Sequence, residues 1–335
     1  MRGFILTAVL TALLIALVTL APVVEGNDKA DRWAILVSSS RFWHNYRHAA
    51  NALSFYHILK DRRIPDSNII LMLADHYACD PRNTRPATMY NGKEKQINLH
   101  RCDLSIDFTG YQVSVRTTLE LLQGLYDPLT TPRSRILNSG PNSNILWYMT
   151  GHGGEGFLKY HDTETLTDED LEQTIDIMHS KKRYAKMLII IETCNGAALC
   201  YRIKAPNVVC VTSSHVGEDS WSLEQDRDMG VHVIDRFTAE TLQYFKQLPK
   251  SRRRTATLWE MLNYYRYDRL RSHVYWNANQ STLMDWKVSE FFEESSLEEE
   301  PMMTTDELLA RRKAESDRMT QHYAAGGASG GRDEL

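Results

Sequence analysis

The chain is 335 residues long and 42% of its residues are hydrophobic, enough to bury the core of one large domain or two small ones. Its formal net charge of -4 at pH 7 is small, and no basic patch stands out along the chain. Because nucleic-acid binding depends on clustered Lys and Arg, we expect no nucleic-acid partner.

The first 26 residues have the layout of a secretory signal peptide. Arg2 precedes the apolar run of residues 4–20, and Gly26 offers a small residue at a cleavage point. Because this run nears membrane-spanning length, a retained membrane anchor is the alternative. We predict a signal peptide over residues 1–26 and a soluble, lumenal mature chain whose catalytic domain covers residues 27–292.

The catalytic domain begins with a strand, a helix and a second strand. Residues 33–39 form an apolar run typical of a buried strand, and residues 48–60 carry apolar side chains at helical spacing. Residues 69–74 form the next apolar run, after the turn Ile64-Pro65-Asp66-Ser67. This order within about 40 residues indicates a βαβ unit with parallel strands.

The middle of the chain alternates irregular and regular segments. Residues 75–107 are polar, with room for a short hairpin, and a long insert of this kind is usually functional or partner-bound. Residues 114–126 resume helical spacing, and residues 144–149 form another apolar run. A polar loop then leads to a helix whose start, Thr167-Asp168-Glu169-Asp170, supplies a cap and an acidic first turn.

The second half of the domain continues the alternation. Residues 187–191 are all apolar, which is typical of a strand buried on both faces of a parallel sheet. Residues 207–213 form a further buried strand, and residues 231–247 are predicted as one long amphipathic helix. The chain is therefore predicted to have an α/β fold, with a mostly parallel central sheet flanked by helices.

A histidine and a cysteine follow two of the apolar runs. Thr150-Gly151-His152-Gly153-Gly154 follows the first, and Glu192-Thr193-Cys194-Asn195-Gly196 follows the second. Because the carboxyl ends of parallel strands lie at one edge of a sheet, we expect His152 and Cys194 to lie close together. An imidazole beside a thiol favours the nucleophilic thiolate, so this pair predicts thiol catalysis.

The glycines around His152 also have a predicted role. Gly151, Gly153 and Gly154 permit backbone conformations that are closed to other residues, and they let a carbonyl group approach backbone N–H groups. We predict an oxyanion hole formed by the N–H groups of Gly153 and Cys194.

The chain contains five cysteines, an odd number. In an oxidising compartment, at least one thiol is then free or bonded to another chain. Cys210 lies inside an apolar run and is interpreted as a small buried apolar residue. Cys79 lies in a polar loop, where a core role is harder to argue.

The end of the chain differs in composition from the domain. Residues 293–335 are charged and rich in Gly and Ser towards the end, so we predict a mobile tail. The last residues, Arg332-Asp333-Glu334-Leu335, are close to the Lys-Asp-Glu-Leu retention signal of the endoplasmic reticulum. Asn279-Gln280-Ser281 is an N-glycosylation sequon, meaningful if the chain enters the secretory pathway. These signals predict a glycoprotein of the endoplasmic reticulum lumen.

The motif around Cys194 resembles the caspase signature, in which Gln-Ala-Cys-x-Gly follows a histidine by about 50 residues. Here Glu192-Thr193-Cys194-Asn195-Gly196 follows His152 at a similar separation. The arrangement resembles the caspase/legumain clan of cysteine peptidases. This resemblance implies a three-layer α/β sandwich and a His-Gly…Cys dyad.

Within this clan, the chain resembles most the family of GPI-anchor transamidase catalytic subunits, over most of residues 33–245. The matching stretches are Ser40-Arg41-Phe42-Trp43, Asn45-Tyr46-Arg47-His48, Ile64-Pro65-Asp66-Ser67, Leu71-Met72-Leu73-Ala74-Asp75, Ala78-Cys79-Asp80-Pro81-Arg82-Asn83, Tyr148-Met149-Thr150-Gly151-His152-Gly153-Gly154 and Val216-Gly217-Glu218-Asp219-Ser220. The resemblance implies a lumenal enzyme complex that removes a carboxy-terminal signal from a proprotein and attaches a glycolipid.

The resemblance also implies a role for each matching site residue. Cys194 is the nucleophile, His152 the general base and acid, and Asn45 the residue that orients the histidine. Cys194 attacks the carbonyl of the small residue at the cleavage point, and the ethanolamine amine of the GPI glycolipid opens the thioester. Ser213 and Ser214 match the place where the clan lines its substrate pocket; ordinary turn serines are the alternative.

Two further implications concern partners and metal ions. Cys79 matches the family cysteine that forms a disulfide with a partner subunit, with a free thiol as the alternative. The family can hold a calcium ion near the positions of Asp66, Ile69 and Asp107, whose oxygen atoms suit calcium. Ser105 stands where a carboxylate is expected, however, and turn formation is the other interpretation of Asp66. The chemistry itself requires no cofactor.

Two other functions are compatible with parts of this pattern. A soluble legumain-like endopeptidase would use the same dyad but let water open the thioester, and a non-catalytic scaffold would retain only the fold. Some members of the transamidase family carry a membrane span near the carboxyl end, whereas no such span follows Phe292. We therefore expect membrane attachment through the other subunits of the complex; the alternative is no membrane attachment, with the Arg332-Asp333-Glu334-Leu335 end retaining the chain.

Overall fold

The computed structural model describes residues 31–101, 104–127 and 129–293. The predicted signal peptide, the predicted tail after Glu293 and Cys102 lie outside the described residues. Within the described ranges, no helix combines the length and apolar character needed to cross a membrane.

A seven-stranded sheet forms the centre of the fold. The strands of the chain are β1 (Arg32–Ser38), β2 (Ile69–Leu73), β3 (Phe108–Thr109), β4 (Asn144–Thr150), β5 (Gly153–Gly154), β6 (Phe157–Tyr160), β7 (Glu164–Thr167), β8 (Lys186–Glu192), β9 (Val208–Thr212), β10 (Ser222–Asp226), β11 (Val231–Asp235) and β12 (Tyr275–Trp276). The central sheet has the order β12-β9-β8-β4-β1-β2-β3. Its strands pair in parallel, except that β12 is antiparallel to β9.

Helices cover both faces of this sheet. They are α1 (Tyr46–Asp61), α2 (Val115–Gln123), α3 (Asp168–Ser180), α4 (Arg236–Gln247), α5 (Leu258–Tyr264), α6 (Tyr267–Leu270), α7 (Gln280–Asp285) and α8 (Ser289–Phe292). Helices α1, α4 and α5 pack on one face, and α2 and α3 pack on the other. The structure thus confirms the predicted three-layer α/β sandwich.

The side chains of β8 show why both faces are covered. Leu188 and Ile190 belong to the core beneath α1, whereas Met187, Ile189 and Ile191 belong to the core beneath α3. Because successive side chains of a strand point to opposite faces, an unbroken apolar run stabilises the sheet only between two helical layers.

Two predicted elements are wrong in type. The predicted loop before α3 contains the small antiparallel sheet β5-β6-β7. The predicted helix over residues 231–247 begins as strand β11, which pairs with β10, and becomes α4 only at Arg236. In β11, Val231, Val233 and Ile234 are buried while His232 is partly exposed, so tertiary pairing outweighed the helical spacing.

The long insert over residues 75–107 contains no hairpin in its described part, only the short 3-10 helix Tyr77–Cys79. Side chains hold its irregular backbone. The Asn83 amide donates to the carbonyls of Tyr77, Ala78 and Thr88. Lys95 forms an ion pair of 2.8 Å with Asp226 of β10. The insert is therefore fixed against the hairpin β10–β11 rather than projecting into solvent.

The interpretation of Cys210 needs a correction. Its side chain is fully buried, as predicted, but its sulfur forms a disulfide with Cys200. Cys200 is buried as well, at the end of a 3-10 helix. Apolar runs describe burial alone, so they did not distinguish a buried thiol from a buried disulfide.

Candidate active site

The sheet brings the predicted histidine and cysteine to one edge. β4 and β8 are parallel neighbours, and the last pair in their register is Thr150 with Glu192. His152 and Cys194 each follow two residues later, where the chain leaves the sheet. The carboxyl edge of a parallel sheet is the usual ligand-binding edge of open α/β folds.

The Cys194 thiol is partly buried at this edge. Its sulfur accepts a hydrogen bond of 3.3 Å from the N–H group of Ser220. Burial raises the pKa of the thiol above its ordinary value, and the nearby Asp219 carboxylate raises the pKa further. The resting cysteine is therefore a neutral thiol at neutral pH, and attack on a carbonyl requires a base.

His152 is held by Asn45, which ends the short 3-10 helix before α1. The Asn45 amide nitrogen donates to the carbonyl of Arg41 at 2.7 Å, so its oxygen faces His152 and accepts from Nε2, also at 2.7 Å. This network assigns the proton to Nε2 and leaves Nδ1 as the free base. Burial lowers the pKa of His152, and the Arg47 charge lowers the pKa further, so the ring is neutral.

Gly153, one of the two residues of the predicted oxyanion hole, lies in the hairpin β5–β6 and packs against the turn that carries Cys194. A Cβ atom on Gly153 would lie 2.5 Å from the Thr193 hydroxyl and 2.7 Å from the Phe157 carbonyl oxygen. The φ angle of Gly153 is not in the left-handed region, so close packing is the reason for glycine, not the backbone freedom that we expected. Among the described residues, no group accepts a hydrogen bond from the Cys194 N–H.

The Cys194 turn depends on the next residue. Asn195 has a φ of 55°, the left-handed conformation that asparagine tolerates better than most residues. Its side-chain oxygen accepts from the Gly217 N–H at 2.7 Å, and its own N–H donates to the Glu218 carbonyl at 2.9 Å. The Asn-Gly turn signal of the sequence is therefore realised, and the loop after β9 stabilises it.

Ser213 and Ser214 follow β9 and are fully buried. The Ser213 hydroxyl accepts from the Thr193 N–H at 3.2 Å. The Ser214 hydroxyl accepts from the Gly196 N–H at 3.1 Å and donates to the Thr193 carbonyl at 2.7 Å. These hydroxyls hold the turn around Cys194. Their contact with a substrate stays a prediction.

A buried pair of carboxyl groups beneath the site escaped the sequence analysis. Glu192 and Asp235 are both almost fully buried. Burial, reinforced by the neighbouring Asp235 charge, raises the pKa of Glu192 to about 8. The Glu192 carboxyl accepts from the Thr238 N–H at 3.0 Å and is hydrogen-bonded to the Tyr148 hydroxyl at 2.6 Å and to the Thr238 hydroxyl. The sequence signal that could have indicated this pair is Glu192, an acidic residue at the end of an apolar strand.

Asp235 connects this buried layer to His152. Its carboxylate accepts from Asn51 at 2.6 Å and from the Arg47 guanidinium at 3.0 Å. It also lies 3.8 Å from the His48 ring, and the His48 ring packs edge-on against His152 with centroids 5.0 Å apart. His48 is buried, and burial lowers its pKa well below the ordinary value, so it packs as a neutral ring.

The remaining predicted site residues lie away from this edge. Cys79 is exposed in the insert and forms no disulfide with another described cysteine. Asp66, in the turn before β2, forms an ion pair of 3.2 Å with Lys60. Burial raises the pKa of Asp107 to about 6, while the nearby Arg135 lowers it.

Lys60 lies beside Asp66, and Asp107 lies near the charges of both Arg135 and Asp66. Among the described residues, no group of three or more His, Cys, Asp or Glu side chains is arranged to hold a metal ion. Ile69 is the first residue of β2, and the calcium site stays a prediction.

The α/β sandwich and its thiol, imidazole and amide at one sheet edge define a cysteine-peptidase type of site. The Peptidase C13 family model matches residues 32–299. The chain therefore belongs to the Peptidase C13 family.

Several relatives share a more specific name. A GPI-anchor transamidase of Bos taurus is 47% identical over 218 residues, which are 65% of this chain and 55% of that protein. That of Schizosaccharomyces pombe is 43% identical over 239 residues, covering 71% of this chain and 62% of the relative. That of Saccharomyces cerevisiae is 41% identical over 244 residues, covering 73% and 59%. The chain thus spans less than two thirds of the length of these relatives.

Proposed function

We propose that this chain is the catalytic subunit of a GPI transamidase. The observation that carries the proposal is the Cys194–His152–Asn45 arrangement, in a C13 chain that is 41–47% identical to GPI-anchor transamidases. Its substrates are proproteins with a carboxy-terminal GPI signal, and the acyl acceptor is the ethanolamine amine of the GPI glycolipid.

The proposed reaction consists of two acyl transfers. His152 Nδ1 takes the proton of the Cys194 thiol as the sulfur attacks the carbonyl carbon at the cleavage point. The N–H groups of Gly153 and Cys194 stabilise the oxyanion, and the imidazolium then protonates the departing tail peptide. In the second step, His152 takes a proton from the acceptor amine as its nitrogen attacks the thioester carbonyl. The C–S bond then breaks, the imidazolium returns the proton to the Cys194 sulfur, and the product is an amide. No step requires a cofactor.

The neutral thiol and neutral imidazole make this general-base route more favourable than attack by a preformed thiolate. The pKa of the thiol is raised and that of the imidazole is lowered, so an ion pair of the two is disfavoured in the free enzyme. Asn45 accepts from Nε2–H and stabilises the imidazolium when it forms during attack.

The test uses microsomes that contain the chain with its partner subunits. They receive hydrazine and a precursor with a carboxy-terminal GPI signal. The proposal predicts the hydrazide of the precursor, with no product from Cys194→Ala or His152→Ala. The exposed His179→Ala in α3 is the matched control and should leave the yield unchanged. Release of the free acid alone, with hydrazine ignored, would favour the legumain-like endopeptidase.

We also propose that Cys79 links the chain to another subunit of a membrane-embedded complex. Its exposure supports this role, because a thiol must be accessible to pair with another chain. Wild-type chain should migrate as a larger species on a non-reducing gel, and Cys79→Ser should migrate as a monomer. Equal migration of both would contradict the proposed link.

We further propose that the chain resides in the lumen of the endoplasmic reticulum and carries a glycan at Asn279. Asn279 is exposed and its oxygen caps α7 by accepting from the Thr282 N–H at 2.9 Å, which leaves the amide nitrogen for the glycan. It is the acceptor of the chain's single Asn-x-Ser/Thr sequon. Endoglycosidase should therefore shift the wild-type band, and Asn279→Gln should abolish the shift.

A second, engineered sequon shows whether a missing glycan at Asn279 is due to the location of the chain or to poor access to that asparagine. Gly140→Ser with Pro141→Ala creates an acceptor at the exposed Asn138, because a proline directly after a sequon hinders glycosylation. A Cβ atom at Gly140 would meet nothing within 4 Å, and Pro141 is exposed. In the Asn279→Gln background, a glycan at Asn138 would support the lumenal location. If neither asparagine receives a glycan, the proposed location is wrong.

A further inference from the structure

The turn that carries Cys194 is hydrogen-bonded along its length to the segment after β9. We call residues 193–197 the nucleophile turn and residues 212–220 the bracing segment. Besides the bonds of the two buried serines, the Ala197 N–H donates to the Ser214 carbonyl at 3.1 Å. The Cys194 sulfur itself accepts from the Ser220 N–H. The position of the sulfur therefore depends on how these two segments lie relative to one another.

The Cys200–Cys210 disulfide joins the same two parts of the chain. Cys200 ends the 3-10 helix Gly196–Cys200, which continues directly from the nucleophile turn. Cys210 lies in β9, two residues before the bracing segment begins, and pairs in register with Ile189 of β8. Their Cα atoms are 5.8 Å apart. The disulfide thus adds a covalent link between the same two parts of the chain that the hydrogen bonds connect.

We propose that the Cys200–Cys210 disulfide is a positioning element for the Cys194 nucleophile. It fixes the 3-10 helix against β9, and through them it fixes the nucleophile turn against the bracing segment. This inference rests on the proposed thiol chemistry at Cys194. Cys200 and Cys210 touch no reacting atom and act only through the turn.

Burial explains how a free Cys194 thiol and the Cys200–Cys210 disulfide can exist in the same protein. Cys200 and Cys210 are fully buried in the core beneath α3, whereas Cys194 is partly exposed at the sheet edge. Thiol–disulfide exchange requires access of a thiolate to the disulfide, and the Cys194 thiol is neutral at rest. The enzyme can thus keep a free nucleophile six residues from a disulfide in an oxidising compartment.

The first experiment is the double variant Cys200→Ala/Cys210→Ala, assayed in the complex for hydrazide formation. A nucleophile turn that shifts by about 1 Å should lower kcat by about 10- to 100-fold, while KM for the precursor stays within about twofold. Thr257→Ala is the matched control, since it removes the cap of α5, where Thr257 accepts from the Glu260 N–H, without touching the turn. Unchanged kcat in the double variant would overturn the inference.

A second measurement tests the inference without the double variant, in case that variant does not fold. The complex with Cys79→Ser, which lacks the proposed inter-subunit disulfide, is treated with increasing dithiothreitol while circular dichroism confirms that the fold is retained. Dithiothreitol is oxidised to its cyclic disulfide as Cys200 and Cys210 become thiols. Mass spectrometry of alkylated peptides counts these thiols. Hydrazide formation should fall in proportion to the reduced fraction and return on reoxidation. Full activity with Cys200 and Cys210 reduced would contradict the positioning role.

The rate at which iodoacetamide alkylates Cys194 tests the positioning role independently of the proposed transamidase function. Release of the turn should expose the sulfur and change this rate in the double variant, whatever the acyl acceptor is. If the rate changes but the wild type makes no hydrazide, the proposed function fails and the inference holds. If the wild type makes hydrazide and the rates are equal, the inference fails alone.

Discussion

Asn45 is the residue whose amide gives His152 one tautomer and one orientation. Asn45→Ala leaves the Nε2–H without its acceptor, so the ring can rotate and Nδ1 leaves the orientation that the proposed general-base step requires. We expect kcat for hydrazide formation to fall by about 100-fold with little change in KM, as for a misplaced catalytic group. A variant with wild-type kcat would exclude Asn45 from the orientation of His152.

The variant Gly153→Ala, which adds one methyl group, tests the proposed oxyanion hole. Gly153→Ala places a Cβ atom against the Thr193 hydroxyl and the Phe157 carbonyl oxygen, which must push the hairpin away from the Cys194 turn. The loss of one aligned N–H donor should lower kcat by roughly 100- to 1,000-fold. Gly140→Ala is the control, because its Cβ atom meets nothing and should leave the rate unchanged.

The start of α3 is the element whose sequence signal and structure agree most fully. The Thr167 hydroxyl accepts from the Asp170 N–H at 3.2 Å, and the Asp170 carboxylate accepts from the Thr167 N–H at 2.9 Å. The sequence predicted a cap and an acidic first turn here, and the structure shows that the cap is a reciprocal capping box. It fixes the helix that packs Leu171, Ile175 and Met178 onto the sheet.

Thr167→Ala should lower the free energy of unfolding by about 1 kcal/mol, because a backbone donor of the first turn loses its acceptor. Thr167→Ser keeps the hydroxyl and should retain most of that stability. Urea denaturation of both variants measures the difference. Equal midpoints for Ala and Ser would show that the cap contributes nothing to α3.

The stability of the whole molecule should depend on pH through Glu192. Because the folded chain raises the pKa of this carboxyl to about 8, the folded state favours the neutral form. The resulting stabilisation is complete below the ordinary pKa of glutamate and is lost as the pH rises through about 8. We therefore expect the thermal midpoint to fall between about pH 5 and pH 8.

Glu192→Gln keeps the shape of the side chain and cannot ionise, so its thermal midpoint should vary less over this pH range. At pH 8 the variant should exceed the wild type by up to a few kcal/mol in unfolding free energy. The exposed Glu155→Gln is the control and should follow the wild type. A wild-type midpoint that rises steadily from pH 5 to pH 8 would contradict the neutral, buried carboxyl.

The sequence by itself determined the features that depend on neighbouring residues. Apolar runs gave the strands that end before His152 and Cys194, and Thr167 with Asp170 gave the start of α3. Burial and capping are local preferences, so a pattern of a few residues is enough to indicate them.

Which distant groups meet was predicted only in part, through the strand ends and the family resemblance, and the tertiary structure decided the rest. Asn45 reaches His152 across 107 positions, and Glu192 and Asp235 share a buried layer although they belong to different sheets. Strand β11 was mistaken for helix, and Cys210 for an unpaired core residue, for the same reason. Partners far apart in the chain outweigh local preference, because pairing and burial with them contribute more free energy than the intrinsic propensity of a short segment.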